Sequence, residues 1–227
     1  MNDKEKIFRS IKKAQTVKKD EFIIHFCSGK TVLDVGCAGQ DHDISNPNWL
    51  HGKIYKTANE LVGVDTNVAA IKKLRSKGYA VFSPEEILTH KNKKSFDVII
   101  MADVIEHVND PVDFLIQYSR LLATNGRLVI TTPNAVSARN FTSILLGNHY
   151  SLNPEHTVWF CPKTIIETLT RAKLQFHDFF WIKEYYSIRE VKGLFSKTIF
   201  ILNSFLFKLR RLYHPNFMLI AKKPENG

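Results

Sequence analysis

Cysteine is scarce. The three present, Cys27, Cys37 and Cys161, lie far apart in a chain of 227 residues and form no CxxC pair. An odd, scattered set excludes a disulfide framework and a zinc knuckle. The opening stretch, MNDKEKIFRSIKKAQTVKKDEF, is charged throughout and lacks an apolar run of signal-peptide length. A reducing, cytoplasmic setting is the expectation. No internal repeat, low-complexity tract or Gly/Ser linker interrupts the chain, so one domain is expected. Acidic residues are also short: 22 Asp and Glu stand against 32 Lys and Arg, a formal net charge of +10. That excess suits anionic company or a solvated basic surface.

What is present is enough apolar residue, 44%, with 24% charged, for one continuous core. Short β-rich runs occur at Thr31–Val35, Leu61–Val64, Tyr79–Phe82, Phe96–Met101 and Arg127–Thr131. Helical spacing fills Asn67–Lys77 and Pro111–Ala123 between them, which argues for a parallel sheet covered by helices. After Pro133 the spacing predicts a helix through Leu146, a loop from His149 to Cys161 and a helix over Pro162–Ala172. Gln175–Trp181 and Phe217–Ala221 follow as late strands. The expected fold is α/β and Rossmann-like, a mostly parallel seven-stranded sheet whose last strands form an antiparallel hairpin with a helical insertion. Residues 1–28 read as an N-terminal helical segment, 29–134 as a ligand-binding core, 135–173 as a lid and 174–227 as the late strands.

The strongest chemical signal is VLDVGCAGQ, Val32 to Gln40, where an apolar strand ends in Asp34 and enters a turn of small residues. Small residues there let backbone N–H groups approach a ligand. The next strand, LVGVD, ends in Asp65, where a doubly wound sheet places a carboxylate for ribose hydroxyls. Capping of the following turn or helix is the structural alternative for Asp34 and Asp65. Cys37 has no base nearby in sequence and reads as packing at the turn. Beyond the fourth strand, Asp103-Val-Ile-Glu106-His107 occupies the carboxyl edge where such folds bind ligands; wound as a helix, it would set Asp103, Glu106 and His107 on one face.

VLDVGCAGQ, GVDTN, FDVIIMADVIEHV and GRLVITTPN, in this order and spacing, resemble class I S-adenosylmethionine-dependent methyltransferases from Gly29 to Asn134. DVIEHV, TTPN and HTVWF resemble the branch of ubiquinone-biosynthesis and glycan-pathway O-methyltransferases. The resemblance implies S-adenosylmethionine as cofactor and S-adenosylhomocysteine as product. Its methionyl part would lie against Asp34, Gly36, Cys37, Ala38 and Gly39, its ribose at Asp65 and Thr66, and its adenine beside Glu85 and Glu86 in SPEEI, with Ala102 and Asp103 completing the set. The turn departs from the family's three glycines, with Ala38 and Gln40 in place.

Methyl transfer to a hydroxyl requires a group that takes the proton. His107 and His156 are the candidate bases, His156 on the resemblance of its segment. Packing or capping is the alternative for each. Asp103, Glu106, His107 and His156 also suit a divalent cation, as in small-RNA 2′-O-methyltransferases. The leading expectation is O-methylation of a small or lipid-linked hydroxyl acceptor. A metal-assisted RNA 2′-O-methyltransferase and a non-catalytic methyltransferase-like binding protein are the alternatives. Basic clusters occur only at Lys12–Lys19, Lys91–Lys94 and Lys208–Arg211, thin for a nucleic-acid footprint.

The segment 191–213, VKGLFSKTIFILNSFLFKLRRLY, is rich in Phe, Ile and Leu and interrupts the last hairpin. As a helix it would leave most of its circumference apolar, so it needs a cover. It is too short and too polar to span a bilayer, for which about twenty apolar residues are needed. Packing on the protein's own core, a homodimer contact and a peripheral membrane contact remain open.

Overall fold

Alternating residues of each strand go to opposite faces, and here both faces are apolar, the pattern of a sheet covered on both sides. A computed structural model of the protein describes residues 3–39, 45–89, 95–147, 153–183 and 193–224. Its strands are β1 (Thr16–Val17), β2 (Thr31–Val35), β3 (Glu60–Val64), β4 (Val81–Phe82), β5 (Phe96–Ala102), β6 (Leu122–Pro133), β7 (Gln175–Ile182) and β8 (Asn216–Lys222). They form one sheet in the order β1-β7-β8-β6-β5-β2-β3-β4. Only the pairings of β8 with β6 and β7 are antiparallel; the others are parallel. The helices are α1 (Asp3–Lys13), α2 (Lys19–Cys27), α3 (Leu50–Tyr55), α4 (Val68–Ser76), α5 (Pro84–Thr89), α6 (Pro111–Ser119), α7 (Ala138–Gly147), α8 (Pro162–Arg171) and α9 (Leu194–Leu209).

Leu33, Ile99, Leu128 and Leu219 belong to one core cluster with Ile11 of α1, Leu115 of α6 and Ile165 of α8. Their neighbours Val32, Val98, Val129 and Ile220 pack with Ile23 of α2 and Ile54 of α3 on the opposite face. Trp181 is fully buried and donates its indole N–H to the carbonyl of Ile11 at 3.0 Å, tying α1 to β7. Asp110 caps α6, its carboxylate accepting the N–H groups of Val112 and Asp113, with Pro111 in the first turn.

The seven expected strands are present, and β1 adds an eighth at the sheet's edge beside β7, inside what read as a purely helical N-terminal segment. Two bounds need correction. The helix expected to run to Ala123 stops at Ser119, because Leu122 pairs with Phe96 in the sheet. The third expected strand, from Tyr79, starts at Val81, because the Tyr79 N–H is spent on the Leu74 carbonyl at the end of α4. Gln40, Lys91–Lys94, His149 and the first two residues of the 191–213 insertion lie outside the described residues.

Because β2 has β3 on one side and β5 on the other, the chain crosses over in opposite directions from its two edges. That divergence opens a crevice at the strands' carboxyl ends.

Candidate functional site

A cavity of about 1280 Å³ fills that crevice. Asp34, Gly36, Cys37, Ala38 and Gly39 line it from the end of β2, Asp65 and Thr66 from β3, and Ala102, Asp103, Glu106 and His107 from β5 and the turn beyond. His156 reaches it from the expected lid segment.

The turn after β2 is tightly built. Gly36 takes φ +80°, and a Cβ there would stand 2.6 Å from the Val104 side chain, so both backbone and space demand glycine. The N–H groups of Gly36 and Cys37 donate to the Val64 carbonyl at 2.8 and 3.1 Å. The Asp65 carboxylate accepts the Ala38 N–H on one oxygen and the Asn67 N–H on the other, each at 2.9 Å. Asp65 therefore clamps the turn to β3. The cap of α4 is Asn67, not Asp65, since its side chain accepts the Ala70 N–H. Each Asp65 oxygen keeps acceptor capacity for a further donor such as a ribose hydroxyl.

Asp34 is buried beside His51, whose Nδ1 lies 2.8 Å from Asp34 Oδ2. Trp49 donates its indole N–H to the Cys37 carbonyl at 2.7 Å; its ring is tilted against His51, and the edge-to-face contacts of Tyr79 with both complete an aromatic cluster beside the turn. Burial pushes the Cys37 thiol up, with the Asp34 and Asp65 carboxylates adding to the effect, so it is no nucleophile.

Glu85 and Glu86 do not line the cavity. Ser83 and Glu86 form a reciprocal capping box at the start of α5: the Ser83 N–H donates to Glu86 at 2.6 Å and the Glu86 N–H to the Ser83 hydroxyl at 3.2 Å. Arg75 pairs with the same carboxylate at 2.6 Å. The S-x-x-E spacing is the sequence sign of this cap, and the adenine role expected of Glu85 and Glu86 has no support from the cavity's lining.

The helix that would put Asp103, Glu106 and His107 on one face does not form. Only Ile105–His107 makes a single 3₁₀ turn, and Asp103 sits before it at φ +56°. Asp103 accordingly parts from the other two, which stay close to each other. Asp103 accepts the Thr131 hydroxyl on one oxygen at 2.8 Å and the Lys19 ammonium on the other at 2.6 Å. Glu106 is buried, accepting the Thr132 hydroxyl on Oε2 at 3.0 Å, while Oε1 has no hydrogen-bond partner among the described residues. Burial, then the Asp103 charge, pushes its carboxyl up to about 8, so it is mostly protonated at neutral pH. His107 faces His156, the rings perpendicular with centroids 4.7 Å apart.

Backbone bonds hold that pair together. The N–H groups of Thr157 and Val158 donate to the Glu106 carbonyl at 2.9 and 3.1 Å, which pins the segment carrying His156 over the turn carrying His107. Burial and then the neighbouring His107 hold the His156 imidazolium below the usual histidine range, favouring the neutral ring. Among the described residues, Glu106, His107 and His156 bring one ligand atom each within 4.8 Å of one another, a set able to hold a metal ion. Asp103, expected with them, is outside that cluster. Lys19, Trp49 and His51 were missed in the sequence: their partners are distant along the chain, and no local spacing announces them.

An open parallel sheet that closes a glycine turn with a strand-end carboxylate at its switch point defines a nucleotide-type cofactor domain. The chain belongs to the methyltransferase-domain family, whose profile matches residues 11–177. The fold is that of S-adenosylmethionine-dependent methyltransferases: such an enzyme from Archaeoglobus fulgidus superposes with a TM-score of 0.60 at 21% identity, over 89% of this chain and 90% of that one. Magnesium protoporphyrin IX methyltransferase from Synechocystis, solved with bound S-adenosylhomocysteine, gives 0.56 at 10% identity over 91% and 82%. In sequence, a ubiquinone biosynthesis O-methyltransferase of Pelagibacter ubique is 33% identical over 129 residues, 53% of this chain and 49% of that protein. A tRNA U34 carboxymethyltransferase of Idiomarina loihiensis is 28% identical over 66% of this chain and 46% of its own length. The chain thus spans about half the length of these curated relatives.

Proposed function

We propose that the chain transfers the methyl group of S-adenosylmethionine to a hydroxyl oxygen of a small acceptor, a quinol-type phenol, a glycan or a lipid-linked sugar. The observation that carries this reading is the His107–His156 pair on the wall of the switch-point cavity. Displacement at a sulfonium methyl requires the acceptor oxygen in line with the breaking C–S bond and removal of the hydroxyl proton. His156, held neutral, has the acceptor nitrogen for that proton, and His107 orients it. The carboxylates of Asp34, Asp65 and Asp103 give the cavity a negative character that suits the cationic sulfonium. Asp65 is the ribose acceptor in this scheme, and the backbone of Gly36 to Gly39 the methionyl cradle.

A cation-assisted form of the same transfer has its own support in the unpartnered Glu106 Oε1. Glu106, His107 and His156 would hold the ion, and a bound divalent cation supplies Lewis acidity that lowers the pKa of an acceptor hydroxyl. RNA is the weaker acceptor reading, although one relative is named for tRNA modification and the net charge is positive. Among the described residues, the lysines and arginines bordering the cavity are only Lys19, which pairs with Asp103, and Arg139.

The test is calorimetric titration with S-adenosylhomocysteine in EDTA and then in magnesium or manganese, followed by transfer of labelled methyl to catechols, glycans and oligoribonucleotides. Saturable binding indifferent to EDTA, with label on a phenol or sugar hydroxyl, is expected. Label on RNA alone would replace the acceptor, loss of transfer in EDTA would promote the cation, and absence of binding would overturn the cofactor assignment.

A further inference from the structure

Two helices leave an apolar surface next to the cavity. On α9, Ile201, Phe205 and Leu209 recur every fourth residue and are 56%, 57% and 55% exposed. The opposite side of this helix is the one that packs: Asn203 is buried and accepts the Thr142 hydroxyl of α7 at 3.1 Å. On α7 the geometry repeats. Ala138 and Thr142 turn inward, whereas Phe141 and Leu145, also four apart, are 65% and 66% exposed, with Ile144 beside them. Eleven of the fourteen exposed large hydrophobic residues among those described belong to residues 136–146 and 201–213. Scattered exposed leucines need no explanation, but such a concentration marks a contact surface.

The charge bordering this surface names its partner. Neither 135–147 nor 193–213 contains a single Asp or Glu, while Arg139, Lys197, Lys208, Arg210 and Arg211 all lie in them. At 100° per residue Lys197 and Lys208 fall along one border of the apolar arc of α9. Arg211 donates to the carbonyls of Lys13 and Ala14, which brings the basic end of α1 to the same corner. A second copy pairing through this face would supply apolar contact and no counter-charge for these cations. An anionic bilayer supplies both.

We infer that the α7–α9 face docks on an anionic membrane surface, α9 lying in the plane of the interface with Phe205 and Leu209 among the acyl chains and Lys197, Lys208 and Arg210 at the head groups. At 16 residues α9 is short for a crossing, and no described helix is long and apolar enough to span. Ser137, Arg139 and Asn140, at the start of α7, line the cavity, so docking brings its mouth to the interface, within reach of an acceptor dissolved in the membrane. The inference stands on these two helices and does not depend on which hydroxyl is methylated.

Co-sedimentation of the full chain with vesicles of phosphatidylcholine, alone or mixed with phosphatidylglycerol, tests it. Partition onto the anionic vesicles, weakened by salt, is expected. The double substitution Phe205→Ser, Leu209→Ser should lower the partition coefficient by at least about tenfold through lost apolar burial, and Lys208→Glu, Arg210→Glu by about tenfold or more through lost attraction. S-adenosylhomocysteine affinity, unchanged in both, reports intact folding. Equal partition onto both vesicle types, variants that partition like the parent, or a dimer in light scattering that Phe205→Ser, Leu209→Ser dissolves without any vesicle binding would each overturn the membrane assignment.

Discussion

The imidazoles of His107 and His156, from separate segments of the chain, stand perpendicular with ring centroids 4.7 Å apart at the wall of the cavity. Two rings so close disfavour double protonation, and burial acts in the same direction on His156. If His156 is the base, His156→Ala should lower kcat by about 10²–10⁴-fold, the usual worth of a positioned base. Binding of S-adenosylhomocysteine should be little changed. Because the pKa of His156 is depressed and its neutral form is the active one, the parent rate should persist to more acidic pH than an ordinary histidine permits. His107→Ala removes one lowering influence, so the acidic limb of its rate profile should move to higher pH.

Asp65 does two things at once, and substitutions separate them. Its carboxylate accepts the Ala38 and Asn67 N–H groups, which fixes the turn, and its remaining acceptor capacity faces ribose chemistry. Asp65→Ala should weaken S-adenosylhomocysteine by about tenfold or more, the range for losing charged hydrogen bonds. Asp65→Asn, which keeps one oxygen, should fall between. Unchanged affinity by calorimetry in both would move the ribose elsewhere.

The two glycines of the turn should answer differently to a methyl group. Gly36 has φ +80° and would press its Cβ within 2.6 Å of Val104, whereas Gly39, at φ +68°, has nothing among the described residues within 4 Å of an added Cβ. Gly36→Ala should therefore cost about 1–3 kcal/mol in urea unfolding from backbone strain alone, with the clash in addition. Gly39→Ala should cost less. Similar losses would mean that Val104 moves aside freely.

Much of the sheet and of the turn is legible in the chain itself. Strands that alternate Val32 with Leu33, or Val98 with Ile99, announce themselves because burial on both faces leaves an unbroken apolar run. The acid at the end of β3 and the glycine turn after β2 are local patterns too. What was hidden depends on contacts made elsewhere. Lys19 meets Asp103, and His51 meets Asp34, only once the sheet has assembled. Asp103 at positive φ defeats a helical reading of the DVIEH stretch, because spacing says nothing about a left-handed residue. At Ser83–Glu86 the S-x-x-E spacing of a helix cap is likewise local. The apolar excess of the insertion was legible, whereas its continuity with α7 required the fold.

Glu106 gives a pH prediction with a definite sign. Its ordinary value of 4.5 rises to about 8 in the folded protein, chiefly by burial. Between those values the native state holds a proton that the unfolded chain has released, so stability contributed by this group is complete below the ordinary value and is lost as pH rises through about 8. Glu106→Gln preserves shape and a hydrogen bond to Thr132 while removing the ionisation. In EDTA, where no cation can claim the carboxylate, the variant should match the parent near about pH 5 and exceed it by a few degrees in Tm near about pH 9. Thermal melts at both values decide the matter. Parallel profiles would mean that Glu106 is ionised in the fold, and its unpartnered oxygen would then require a bound cation or donor to compensate a buried charge.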